Sequence, residues 1–121
     1  MKLLNYESNG SARVGFLKDG EIVRIGSATS IEELLSLGKI EEIGRKEEGP
    51  AEELSGVRTR PPVVAPDKIL LAAINYRAHG EETKSPPPSE PYFFTKFRSC
   101  IIGHGDPIVI PRVSKRADWE A

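Results

Sequence analysis

A histidine and a glutamate three residues apart, His79 and Glu82, stand at the polar end of the stretch Ile69-Leu70-Leu71-Ala72-Ala73-Ile74-Asn75-Tyr76-Arg77-Ala78-His79-Gly80-Glu81-Glu82. If Tyr76 to Glu82 is helical, the two side chains share a face and lie within hydrogen-bonding reach. A carboxylate beside an imidazole fixes its tautomer and raises its basicity, which is how a protein makes a general base near neutral pH. The same pair on a bare exposed helix is solvated and idle. Spacing alone does not separate the two readings.

The elements that must hold the pair come next. Ile69–Ile74 is a short apolar run with the pattern of a buried strand, and Asn75 is placed to cap the helix that follows it. Ser85-Pro86-Pro87-Pro88 reads as a stiff loop poor in backbone donors. Tyr92 to Phe97 is a strand-like aromatic run, and Cys100 to Ile102 a short apolar one in which Cys100 reads as a buried small hydrophobe. Gly103-His104-Gly105-Asp106-Pro107 is a turn with His104 at the surface, and Ile108–Ile110 is a further strand. The chain closes on Ala117-Asp118-Trp119-Glu120-Ala121, which reads as a strand cut soon after it begins, so the sequence is expected to lack a C-terminal half.

The first sixty residues carry a different pattern. Lys2 to Glu7, Arg13 to Leu17 and Glu21 to Ile25 read as three strands, joined at Asn9-Gly10 and Asp19-Gly20 by tight turns. Ser30-Ile31-Glu32-Glu33 fits a capping box, with Ile31, Leu34 and Leu35 as an apolar stripe ending at Gly38. Ile40 to Arg45 is a second, weakly amphipathic stretch, and Ala51 to Leu54 a further helical turn. The charges Glu41, Glu42, Lys46, Glu47 and Glu48 read as a solvated face. Thr59-Arg60-Pro61-Pro62-Val63-Val64-Ala65-Pro66 is an extended connector. The expected organisation is a small N-terminal domain over residues 1–60 and the beginning of a second over 61–121.

Bulk properties narrow the function classes. The formal net charge of −1 over 121 residues provides no basic field for nucleic acid phosphates. No apolar run approaches the ~20 residues that cross a bilayer, and the N-terminus lacks the apolar segment of a secretion signal. The single cysteine, Cys100, excludes an internal disulfide and gives no zinc spacing. A cytoplasmic protein with no nucleic acid or membrane partner is expected.

Taken in order, the segments resemble the N-terminal half of the fumarylacetoacetate hydrolase family. The matching pieces are Lys68-Ile69-Leu70 leading into Asn75-Tyr76-Arg77-Ala78-His79, Glu82, Glu90-Pro91 before Phe93-Phe94-Thr95-Lys96, Gly103 with Gly105-Asp106-Pro107-Ile108, and Asp118-Trp119-Glu120-Ala121. Each piece is weak alone; five in order within about fifty residues are not. The resemblance implies an α+β, strand-rich fold: a small β-meander and helix domain, then the first part of that family's β-roll. It implies metal-dependent chemistry on a 2-oxo or diketo acid, C–C bond hydrolysis first, with isomerase, decarboxylase and dehydratase as alternatives within the family.

The resemblance also assigns residues. His79 and Glu82 match the dyad of a segment that orders over bound substrate, and Lys96 matches a lysine near the active site. Glu120 matches the first glutamate of a Glu-x-Glu pair holding Mg²⁺ or Mn²⁺, hard cations that take oxygen ligands. Asp118 shares its face in a slot that the family does not use as a ligand. The second glutamate would follow Ala121, and a third carboxylate lies further on in the family, so the 121-residue chain is expected to be inactive by itself and the full-length form a homodimer. The rival expectation is a catalytically inactive chain that serves at most as a folding or interaction module. His104 stands where the family often has proline, and Phe97-Arg98 replaces a more usual Pro-Pro or Pro-Ser.

Overall fold

Two tight turns build the sheet of the N-terminal region. Asn9 and Gly10 both adopt positive φ (52° and 71°), as do Asp19 and Gly20 (52° and 91°), the pairing that primed hairpin turns demand. They join β1 (Lys2–Ser8), β2 (Ser11–Lys18) and β3 (Glu21–Arg24) as an antiparallel meander in which Ser8 pairs with Ser11 and Lys18 with Glu21. The computed structural model describes residues 2–38, 50–86 and 88–118. The chain divides into two compact units, Met1–Val63 with Ile102–Ala121, and Val64–Ile101.

Two short strands extend the meander of the first unit. β4 (Glu52–Glu53) adds beside β3 and β5 (Arg58–Thr59) beside β1, giving the order β4-β3-β2-β1-β5. The pairing register sets Tyr6, Arg13, Gly15, Ile22, Arg24 and Glu52 on one face. Glu52 accepts hydrogen bonds from Tyr6 Oη (2.9 Å) and from Ser8 Oγ on β1, three strands away in the order, so the sheet curls around this face. Gly15 is required there: a Cβ would stand 2.5 Å from Ile22 Cγ2, 2.8 Å from the Val23 carbonyl oxygen and 3.2 Å from the Tyr6 ring.

The opposite face buries Val14 against Ala28 and Leu34, with Ile25 and Ile31 packed around them. Leu34 comes from α1 (Ile31–Ser36), which starts where Ser30 Oγ accepts from the Glu33 N–H at 3.1 Å. The capping box closes one residue early, since the Glu33 carboxylate reaches the N–H and hydroxyl of Thr29, not the N–H of Ser30. Asn5 is wholly buried in the middle of β1. Its Oδ1 accepts from the Ile31 N–H at 2.7 Å, and its Nδ2 donates to the carbonyls of Pro61 (2.9 Å) and Pro62 (3.1 Å). One side chain thus ties the strand, the helix start and the Pro-Pro connector together.

The second unit is smaller. β6 (Ile69–Ala72) and β7 (Phe93–Lys96) form an antiparallel pair, and α2 (Arg77–Glu82) lies between them in sequence. The fold is therefore strand-rich α+β with short helices, and among the described residues no helix is long and apolar enough to cross a membrane.

Several expectations need correction. Ala51 to Leu54 is not a helical turn: Glu52–Glu53 pairs as β4, and a single 3₁₀ turn follows at Leu54–Gly56. Ile108–Ile110 is irregular, with Ile108 and Val109 more than four-fifths exposed, because no strand pairs with it among the described residues. Cys100 is exposed at the end of a 3₁₀ turn, Arg98–Cys100, and is not a core residue. The stretch Ile40 to Arg45, the neighbouring charges and Trp119 to Ala121 lie outside the described residues.

Candidate functional site

The two-stranded ladder of the second unit leads directly into the candidate dyad. Ala72 pairs with Phe93, and the Ala73 N–H donates to the Tyr92 carbonyl at 3.0 Å, which carries the ladder one step further. The chain then leaves the sheet through Ile74 and Asn75. Helix α2 begins after Tyr76, whose extended backbone (φ −120°, ψ 140°) makes it the N-cap, with no side-chain bond to the helix. The expected cap at Asn75 is thus one residue early.

His79 and Glu82 both lie on α2, and both are exposed. No hydrogen bond or ion pair joins their side chains among the described residues. The helix holds His79 through its backbone, since its carbonyl accepts from both the N–H (3.0 Å) and the hydroxyl (2.7 Å) of Thr83. The helix end is a Schellman motif: the Ser85 N–H donates to Gly80 O at 2.9 Å, the Lys84 N–H to Glu81 O at 3.3 Å, and Lys84 takes the left-handed conformation at φ 55°. Gly80 is buried in the middle of α2, where a Cβ would meet the Ser85 carbonyl oxygen at 3.0 Å and Ile74 Cγ2 at 3.6 Å.

Lys96 ends β7 and is exposed; it pairs with Ile69, three residues back from Ala72, or roughly 10 Å along the ladder from where the chain departs for α2. Within the same segment the Tyr92 and Phe94 rings meet edge to face at 5.9 Å. Glu120 lies outside the described residues, and Asp118 is described as exposed. Among the described residues no three His, Cys, Asp or Glu side chains gather as a cation would require.

An open cleft in the first unit was not foreseen. The hairpin turn Asp19-Gly20-Glu21, Glu53 to Ser55, Arg58 and the turn His104 to Asp106 line it. Its most ordered feature is a clamp: Arg58 Nη2 donates to both Asp106 oxygens at 3.0 Å, and Asp106 Oδ2 also accepts from the Gly103 N–H at 2.9 Å. The backbone bond and then the guanidinium hold the Asp106 carboxyl below its ordinary pKa. Gly103 is needed for close approach, since a Cβ would stand 2.5 Å from the Thr59 carbonyl oxygen. The Gly103/Gly105-Asp106 spacing is the sequence signal for this turn; Arg58, 48 residues away, carries none.

Comparison with known proteins bears on the same segment. Residues 68–121 match the family described as fumarylacetoacetate (FAA) hydrolase C-terminal. An uncharacterized protein of Archaeoglobus fulgidus is 45% identical over 67 residues, 55% of this chain and 26% of that protein. A mitochondrial oxaloacetate tautomerase of Xenopus laevis is 43% identical over 67 residues, 55% of this chain and 21% of its own length. A mitochondrial oxaloacetate tautomerase of Homo sapiens is 44% identical over 59 residues, 49% of this chain and 19% of its own length. The match thus spans about a fifth to a quarter of these curated relatives. The ordered set of motifs and the family match coincide: residues 68–121 of this chain are similar to the fumarylacetoacetate hydrolase family.

Proposed function

We propose that the full-length protein acts on a 2-oxo or diketo acid, with His79 as the proton-transferring group, Glu82 as the carboxylate that orients it and Lys96 as a cation facing the developing enolate. In the first reading the reaction is tautomerisation. His79 takes a proton from the carbon beside the 2-oxo group, the C–H electron pair moves into the enolate, and a proton returns to the oxygen to give the enol. In the second, His79 takes a proton from water, the resulting oxygen attacks the distal carbonyl, and the C–C bond breaks with its electron pair passing to the enolate of the 2-oxo fragment.

The observation that carries the reading is the family match over residues 68–121, which contain His79, Glu82 and Lys96. Relatives named oxaloacetate tautomerase favour the first reaction over C–C hydrolysis. A divalent cation, Mg²⁺ or Mn²⁺, held in part by Glu120 and supplying charge to stabilise the enolate, belongs to the same proposal, as do the continuing β-roll and a homodimer.

The test uses the full-length protein with oxaloacetate, following enol absorbance, and with an acylpyruvate, following cleavage. Each is run with Mg²⁺, with Mn²⁺ and with chelator. His79→Ala is expected to lose at least about 10²-fold in rate, the usual weight of a general base, with Glu82→Gln losing less. Full activity in His79→Ala on either substrate rejects the assignment.

A further inference from the structure

Of the non-glycine residues with positive φ, three have an ordinary reason: Asn9 and Asp19 sit in primed hairpin turns, and Lys84 ends a helix. Ile74 has none. It is β-branched at φ 46°, a conformation whose cost falls hardest on such side chains. It is the first of the three residues, Ile74, Asn75 and Tyr76, that lie between the β6–β7 ladder and α2. Its side chain reaches the buried face of α2 at Gly80, and its own N–H makes no hydrogen bond among the described residues.

We infer that Ile74 is a positioning residue: its left-handed backbone turns the chain out of the ladder in the direction that lets Gly80 close against Ser85, and so fixes where His79 and Glu82 lie. The inference rests on the reading of those two residues as the working pair. The physical argument is one of necessity. Were an extended or right-handed backbone able to join Ala73 to α2, the isoleucine would adopt it and avoid the strain. Gly80 points the same way, since a glycine inside a six-residue helix weakens it, and here the Ser85 carbonyl oxygen comes within 3.0 Å of where a Cβ would stand. The helix is too short to stand by itself, so its position depends on the direction of the backbone at Ile74 and on the closure of Gly80 against Ser85.

Amide hydrogen exchange on the 121-residue chain tests this without any turnover. The Thr83 and Ser85 amides, bonded to His79 O and Gly80 O, report α2; the Ala73 amide, bonded to Tyr92 O, reports the ladder. Ile74→Gly and Ile74→Asn accept the left-handed backbone and are expected to raise protection at Thr83 and Ser85 by about three- to tenfold, leaving Ala73 unchanged. Ile74→Pro fixes φ near −65° and is expected to abolish protection at Thr83 and Ser85 and to move the His79 and Glu82 side-chain resonances together. Those resonances stay in place in the Gly and Asn variants. Lys84→Gly, at an ordinary left-handed helix end, supplies the control for a measurable gain. Unchanged or reduced protection in both Ile74→Gly and Ile74→Asn overturns the inference, as does retained Thr83 and Ser85 protection in Ile74→Pro. Because no substrate is involved, either result leaves the enzymatic proposal standing or falling by its own assay.

Discussion

Replacing Asn5 with alanine should be among the most damaging single changes in the first unit, although Asn5 has no part in the proposed chemistry. The side chain is fully buried and satisfies one donor and two acceptors, the Ile31 N–H and the carbonyls of Pro61 and Pro62. A truncated side chain leaves all three unpaired, at about 1 kcal/mol or slightly more apiece, so a loss of about 3–4 kcal/mol follows. Against a stability of roughly 5–15 kcal/mol for a domain, that is a large fraction. At about 4–8 °C per kcal/mol for a unit of this size, Tm should fall by about 15 °C or more. Urea unfolding followed by far-ultraviolet circular dichroism measures it. A midpoint for Asn5→Ala within about 0.5 kcal/mol of wild type would refute the tie between β1, α1 and the connector.

Three further expectations follow from the same unit. Gly15→Ala puts a methyl group against Ile22 and the Val23 carbonyl and should destabilise by about 1–3 kcal/mol, read as a lower urea midpoint with an unchanged slope. Tyr6 is pushed up to about 12, by burial first and then by its hydrogen bond to Glu52, so the folded state keeps its proton where the unfolded chain loses it. Stability should therefore fall as pH rises from about 10 to 12, and a Tyr6→Phe chain should lose that slope. Asp106 is shifted the other way, by the Gly103 N–H first and then Arg58, so its contribution is present above the ordinary aspartate pKa and lost as pH falls through the lower folded value. Acid titration of stability should show this step in the wild type and not in Asp106→Asn.

Much of the local structure was legible because local chemistry dictates it. Asn9-Gly10 and Asp19-Gly20 specify their turns, Ser30 specifies the start of α1, and the apolar run at Ile69 gives a strand before the His79 helix. What escaped the sequence is non-local. The strands β4 and β5 are two residues each, too short for any alternation to register, and exist because the meander offers edges to pair with. Ile108–Ile110 has the composition of a strand and lacks a neighbour, which composition does not reveal. The burial of Asn5 follows from the return of Pro61 and Pro62, 56 and 57 residues later. At the candidate site, residue types and spacing pointed to His79 and Glu82, whereas the left-handed turn at Ile74 carries no compositional mark.

The strand order β4-β3-β2-β1-β5 has a consequence for biosynthesis. Both flanks of the meander are supplied by segments made after α1, so β1 to β3 emerge from the ribosome with their outer hydrogen-bonding rows open. About 35 residues separate Arg24 from Thr59, and at roughly 5–20 residues per second the wait lasts on the order of 2–7 seconds. During that interval two nascent chains on one messenger could pair flank to flank, and the charges on the two outer strands, Lys2 and Glu7 on β1 and Glu21 and Arg24 on β3, stand where charge discourages it.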